Sequence, residues 1–296
     1  MEGVTEGNYI PLMTKRHWVK CWWTPFLRIS TGVPRRTILA RWLRPYLDSG
    51  LPVIAQLMGT HTGRLAEAAA RLASLGAVCI DLNCACPSKN VIGSQAGGYR
   101  LKFPDWIAET LVTMRKAMPM TTAISVKMRM GLESPREFEG IAEAVRTAAP
   151  DMITLHFRTV AEQYRTIGDG LERLAWARAL LPDCFIVGCG DIFSVDDAQR
   201  MVETTGVDAV APARGLMANP ALLMQIEAAC RGLPVPTVTD VQKTDFLQEM
   251  LDASPTARGR GYVMQSAVPM LGKDHPWIAE HLKPRAAIHH DNARNQ

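Results

Sequence analysis

Val78-Cys-Ile-Asp-Leu-Asn83 is a short, mostly apolar run that ends on a polar side chain, and a longer amphipathic segment at residues 104–118 follows it. Working outward, the same alternation recurs on both sides. Upstream lies Pro52-Val-Ile-Ala-Gln56 with a helical segment at 63–75. Downstream come apolar runs at 123–127, 152–156, 184–188 and 208–212. Each is followed by a segment of helical spacing, at 135–148, 171–181, 194–205 and 220–230. Strands this apolar suit a parallel sheet buried on both faces. Ser194 is placed to cap a helix, and Pro104 and Pro135 suit first-turn positions. A further strand fits within residues 19–29. Repeating strand–helix units predict an α/β fold, a TIM (β/α)8 barrel lacking its first strand. After Arg231, Gly232-Leu-Pro-Val-Pro236 reads as a linker. The expected division is a barrel at 1–235 and a short all-helical domain at 236–296.

Chemistry in such a barrel sits where the strands end. The six runs end on or just before Gln56, Asn83 with Cys84-Ala-Cys86-Pro87, Lys127 with Arg129, His156 with Arg158, Gly188-Cys-Gly-Asp191, and Arg214-Gly215. A strand-end Lys or a lone His is usually structural, but six runs in register place polar groups on one rim. Gly190 permits close backbone approach, and Arg214 offers a planar fork of donors, where barrels commonly hold phosphate. Cys86 lies just past a strand end, before a Pro and the segment Gly93-Ser-Gln-Ala-Gly97-Gly98, a place that favours partial exposure of a thiol.

Composition narrows the class. The chain has 296 residues, 47% of them hydrophobic, enough for one large domain with a small one. No apolar run approaches the ~20 residues of a membrane span, and no signal segment is evident, so a cytoplasmic protein is expected. The seven cysteines are scattered, which argues against a disulfide framework, and beside Cys84-x-Cys86 no second Cys/His pair is taken to form a zinc site. The net charge of +4 decides little. Its distribution says more: residues 15–45 carry eight basic residues, no acidic ones and four of the seven tryptophans, and the tail beyond Ala253 is also basic.

Together these residues resemble a known family. Asp81-Leu-Asn-Cys-Ala-Cys-Pro-Ser-Lys89, with Val91, Gly93-Ser94 and Gly97-Gly98, resembles the signature loop of the dihydrouridine synthases. Met1-Glu-Gly-Val-Thr5, Ala55-Gln-Leu-Met-Gly59, Val126-Lys-Met-Arg-Met-Gly131, Leu155-His-Phe-Arg-Thr159, Gln163-Tyr-Arg165, Gly190-Asp-Ile192 and Ala213-Arg-Gly215 are similar to the family's other motifs, in order. The Pro-Ser-Lys loop leans toward the bacterial C-type subgroup.

The resemblance implies bound FMN, reduced by NADPH or NADH, and a uridine of tRNA as substrate, with ribosomal RNA not excluded. It implies that Gln56, Lys127 and His156 contact the flavin, with Asn83 near flavin and base. Gly190, Asp191, Ala213 and Arg214 would hold the phosphate, and Met1, Gly188 and Cys189 would also lie at the cofactor. Cys86, directly before Pro87, would be the proton donor rather than Cys84. Lys89, Arg129, Arg158 and Arg165 would face RNA. No metal, no membrane and a monomer are expected. Departures from the family pattern are Cys189 for Asn, and Ala85 and Phe157 for Gly. Two other readings remain: an FMN barrel acting on a free small molecule, told apart by salt-sensitive tRNA binding, and an inactive RNA-binding relic, told apart by failure to take up FMN.

Overall fold

The computed structural model describes residues 9–253 and 257–282. Eight strands run in parallel: β1 (Trp22–Trp23), β2 (Leu27–Ile29), β3 (Val53–Gly59), β4 (Cys79–Cys84), β5 (Ala123–Arg129), β6 (Met152–His156), β7 (Ile186–Cys189) and β8 (Ala209–Val210). From β3 each strand pairs with the next, and β1 and β2 both pair with β3. The eight strands therefore fill seven positions of a TIM-type sheet, and among the described residues β8 does not pair back to β1. Among the described residues the barrel is short of one strand, in line with the expectation.

The first position is broken for a local reason. Trp23 pairs with Ile54 and Leu27 with Leu57, so three residues, Thr24, Pro25 and Phe26, oppose two on β3. That is a bulge, and Pro25 has no N–H to give the ladder. Thr24 repairs the gap: its N–H donates to the Ile54 carbonyl at 3.0 Å, and its Oγ1 accepts the Gln56 N–H at 3.0 Å. At the other end of the sheet β8 is only two residues long, and beyond it the Ala211 N–H still donates to the Gly188 carbonyl.

Helices cover the sheet. They are α1 (Tyr9–Lys15), α2 (Arg36–Leu47), α3 (Thr62–Ala73), α4 (Lys89–Gly93), α5 (Pro104–Ala117), α6 (Phe138–Ala148), α7 (Gly170–Leu180), α8 (Val195–Thr205), α9 (Gly215–Ala218) and α10 (Leu222–Cys230). Then follow α11 (Asp240–Asp252), α12 (Ala257–Leu271) and α13 (Pro276–His281). Ser194 caps α8 in a capping box with Asp197, as its position predicts. Pro135 instead opens a single 3-10 turn ahead of α6.

Strand side chains alternate between two faces. Leu57, Ile80, Leu82, Cys84, Val126, Met128, Ile153, Leu155 and Ile186 join the apolar layer beneath the helices. Gln56, Asp81, Asn83, Ser125, Lys127, Thr154, His156 and Cys189 occupy the opposite, concave face. The apolar core continues into the C-terminal helices, where the Phe246 ring meets Tyr9 at 5.7 Å and Trp18 at 5.4 Å. No helix among the described residues is long and apolar enough to cross a membrane.

Candidate active site

The concave face carries a row of polar side chains in register: Gln56 beside Asp81, Asp81 beside Ser125, and Asn83 beside Lys127. Asp81 is fully buried and accepts from Gln56 Nε2 at 2.6 Å, Ser125 Oγ at 2.6 Å and Trp23 Nε1 at 3.3 Å. Burial pushes its carboxyl up to about 6, against these hydrogen bonds and the nearby Lys127. Gln56 Oε1 then accepts from Asn83 Nδ2 at 2.8 Å. Asn83 Oδ1 in turn accepts the N–H groups of Ala85 and Cys86, both at 3.1 Å.

The loop after β4 is thereby held on every side. The Ala85 carbonyl accepts from Arg129 Nε at 2.9 Å, and the Cys86 carbonyl from the Gly98 N–H at 3.1 Å. Gly97 and Gly98 allow this approach. A Cβ on Gly97, at φ +56, would lie 2.6 Å from Val91, and one on Gly98 3.0 Å from the Cys86 carbonyl oxygen. Cys86 is a half-buried free thiol beside the cluster of Met58, Val91 and Ala96. Cys84 points the other way, has no exposure, and burial pushes its thiol far up. The partial exposure expected of Cys86 is present, and Cys84 lies in the core.

His156 is buried, and its Nδ1 accepts the Arg158 N–H at 3.2 Å. Its proton therefore belongs on Nε2. Burial, with Arg129, Lys127, Arg158 and Arg214 nearby, pushes its pKa down to about 2, so the ring is a neutral donor. Lys127 is half-buried and makes no hydrogen bond or ion pair among the described residues.

At the far end, Asp191 sits at φ +46 after Gly190 at φ +134. Its carboxylate bridges Arg158, with a contact of 3.0 Å to Nη1, and Arg214. Arg214 stacks over Tyr164 at 5.1 Å and Phe193 at 5.5 Å. A Cβ on Gly190 would lie 2.5 Å from the Phe157 ring. Phe157 thus packs against the strand-end loop where the family pattern has Gly.

Two of the arginines expected at RNA are buried. Arg129 is 3% exposed and spends its donors on the carbonyls of Ala85, Thr159 and Gln163. Arg158 is 1% exposed, bound to Asp191 and the Arg165 carbonyl. Both are ties beneath the rim. Gly188 turns its missing side chain toward Met201 and Val207, where a side chain would clash. Cys189 lies on the concave face beside His156, buried. Lys89 and Arg165 are exposed, as is Ala213 beside Arg214. Met1 lies outside the described residues.

This geometry can be set beside known proteins. Residues 1–289 match the dihydrouridine synthase family. The chain belongs to that family. With membership stands the expected enzyme class, an oxidoreductase on an α/β barrel. Among dihydrouridine synthases it is 34% identical over 267 residues to the tRNA-dihydrouridine(16) synthase of Salmonella typhimurium, covering 85% of this chain and 82% of that protein. The Escherichia coli protein of the same name is 33% identical over 266 residues, with the same coverages, 85% and 82%. That of Yersinia pestis is 38% identical over 236 residues, 75% of this chain and 72% of its own. Solved structures share the fold at lower identity. Histamine dehydrogenase from Rhizobium sp. 4-9 superposes with a TM-score of 0.57 at 16% identity, over 75% of this chain and 43% of that one. A 2-naphthoyl-CoA reductase gives 0.56 at 12%, over 78% and 48%. The chain spans less than half of either structure.

Sequence reasoning missed Asp81, Trp23, Thr24 and Tyr164. Asp81 had a signal, since it is two residues before Asn83 and shares its face. Among the described residues no group of three or more His, Cys, Asp or Glu could hold a metal ion.

Proposed function

We propose that this chain reduces a uridine of tRNA to 5,6-dihydrouridine, with FMN as resident cofactor, NADPH or NADH as reductant and Cys86 as proton donor. The observation that carries this reading is the fixed Cys86 loop standing over a face that presents donors: neutral His156 through Nε2–H, the ammonium of Lys127, and the amide N–H groups of Gln56 and Asn83. Such a face fits the acceptor-rich ring of a flavin, which gains negative charge on reduction. Arg214 and the backbone of Gly190 and Asp191 suit a phosphate, provided the Asp191 carboxylate yields Arg214 to it.

When bound, FMN supplies a hydride to C6 of the uracil. The chain's part is to place the base and move one proton. Cys86 Sγ gives its proton to C5 from the mouth, a general-acid step for which the thiol must be neutral. Lys127 and His156 stabilise charge on the ring edge they face without a proton transfer of their own. The base must leave its stack to reach this depth. Exposed Lys89 and Arg165 lie where the RNA backbone would pass. The relatives' names specify position 16 of tRNA, and that is the position proposed here.

Cys86→Ala is expected to purify with its flavin colour intact yet form no dihydrouridine in tRNA of cells lacking other such enzymes. Cys84→Ala, which alters only the outer core, should retain most of the modification. Mapping dihydrouridine by primer-extension stops in both strains decides the matter, and the reverse pattern would overturn the assignment.

A further inference from the structure

Asp81 is a carboxylate with no exposure and no cation in contact; its partners are the neutral donors Trp23, Gln56 and Ser125. Burying a carboxylate on neutral donors is costly, and an apolar side chain would fill the same space without that cost. What the carboxylate adds is direction. When ionised it can only accept, so Gln56 must turn its NH2 toward Asp81 and its Oε1 toward Asn83. Asn83 must then offer Nδ2 to Gln56, which leaves Oδ1 for the N–H groups of Ala85 and Cys86. Two amides that could each be turned either way are thus polarised from one end.

We propose that Asp81 is a positioning residue for Cys86, fixing the amide orientation of Gln56 and Asn83 and through them the loop that carries the thiol. This rests on the reading of Cys86 as the proton donor, but the geometric claim has a readout of its own. Cys86 packs beside Met58, Val91 and Ala96 with its N–H and carbonyl both tied. If Asn83 is released, the loop loses two of its four ties and the thiol becomes more accessible.

The test uses the full-length protein with Asp81→Leu and Asp81→Asn. Iodoacetamide labelling of Cys86 is followed by mass spectrometry, and kcat and KM are measured with tRNA. Asp81→Leu removes the acceptor, and we expect Cys86 labelling to speed up several-fold while kcat falls by roughly a hundredfold at unchanged KM, the scale of a small misplacement of a reacting group. Asp81→Asn can still present a carbonyl to Gln56 and Trp23 while its NH2 faces Ser125. It should restore both labelling and kcat to within about threefold. Wild-type labelling and kcat in Asp81→Leu would overturn the proposal, as would an Asp81→Asn protein as impaired as Asp81→Leu. Should the leucine variant not fold, Ser125→Ala removes one donor to Asp81 and keeps the core filled. A smaller rise in labelling supports the proposal there, and an unchanged rate overturns it. If the labelling pattern holds but even the wild type makes no dihydrouridine, the functional reading fails and the positioning role stands.

Discussion

His156 shows how one backbone contact can decide a side chain's chemistry. The Arg158 N–H on Nδ1 leaves Nε2 to carry the proton, and burial among four cations keeps a second proton off. The folded-state pKa, about 2, lies well below the ordinary value of 6.5. The stability this ring contributes is therefore fully present above pH ~6.5 and is lost as pH falls below it. Nitrogen-detected NMR of the imidazole should show a neutral Nε2–H tautomer with no titration between pH 5 and 8. A midpoint above pH 5 would refute the assignment. At the same scale, the partial exposure of Cys86 was legible from its place just past a strand end, whereas the burial of Cys84 on the outer face of β4 was not anticipated. Arg129 and Arg158 were not legible this way. A strand-end arginine reads as solvated until its carbonyl partners, supplied by loops at 85 and 159–165, are brought to it by the fold.

Among the elements, the strand starts carry a device that appears twice. Asp151, just before β6, accepts the Ile124 N–H at 2.7 Å and pairs with Arg115 of α5. Asp208, just before β8, accepts the Ile186 N–H at 2.7 Å and pairs with Arg178 of α7. Each aspartate ties the start of its own strand to the start of the neighbouring strand and to the helix before that neighbour. Ile124 and Ile186 are buried, so losing the acceptor strands an N–H away from water. Asp151→Ala and Asp208→Ala should each lower unfolding stability by about 1–2 kcal/mol in urea titrations. Two strand spacings, roughly 10 Å, separate the sites, so the double variant should show the sum. Dihydrouridine formation should be unaffected, since both lie at the opposite end of the strands from Cys86. Equal stability of wild type and both variants would dismiss the device. The repeating units were legible because apolar runs and helical spacing alternate cleanly. The broken first position was not, since it depends on where Pro25 meets the acceptors of β3.

Across the whole molecule, the basic stretch near the N-terminus proves to have two uses. Lys15 and Arg16 pair with Glu249 of α11, and Lys20 with Glu227 of α10, so these cations help dock the C-terminal helices. Trp18 and Trp22 are buried in the core. That leaves fewer cations for RNA than the sequence count suggests, and it shifts the expected contact to the rim. There Lys89, just past the Cys86 loop, and Arg165 are exposed, and Arg28 reaches Ser94 from the middle of β2. Arg44 offers a contrast. It lies in the last turn of α2, which leads into the start of β3 at the opposite end of the strands from the Cys86 loop, and pairs with Asp48. Each phosphate contact on a single strand adds about 0.7 to the slope of log affinity against log salt, and about 0.9 on a duplex. Lys89→Ala and Arg165→Ala should therefore each weaken tRNA binding at low salt and flatten that slope by somewhat under one, while Arg44→Ala leaves it unchanged. Filter-binding titrations over a range of potassium chloride concentrations measure this directly. If Arg44→Ala flattens the slope as much as the rim variants do, tRNA does not approach through the mouth that holds Cys86, and the chemistry would need another route to its base.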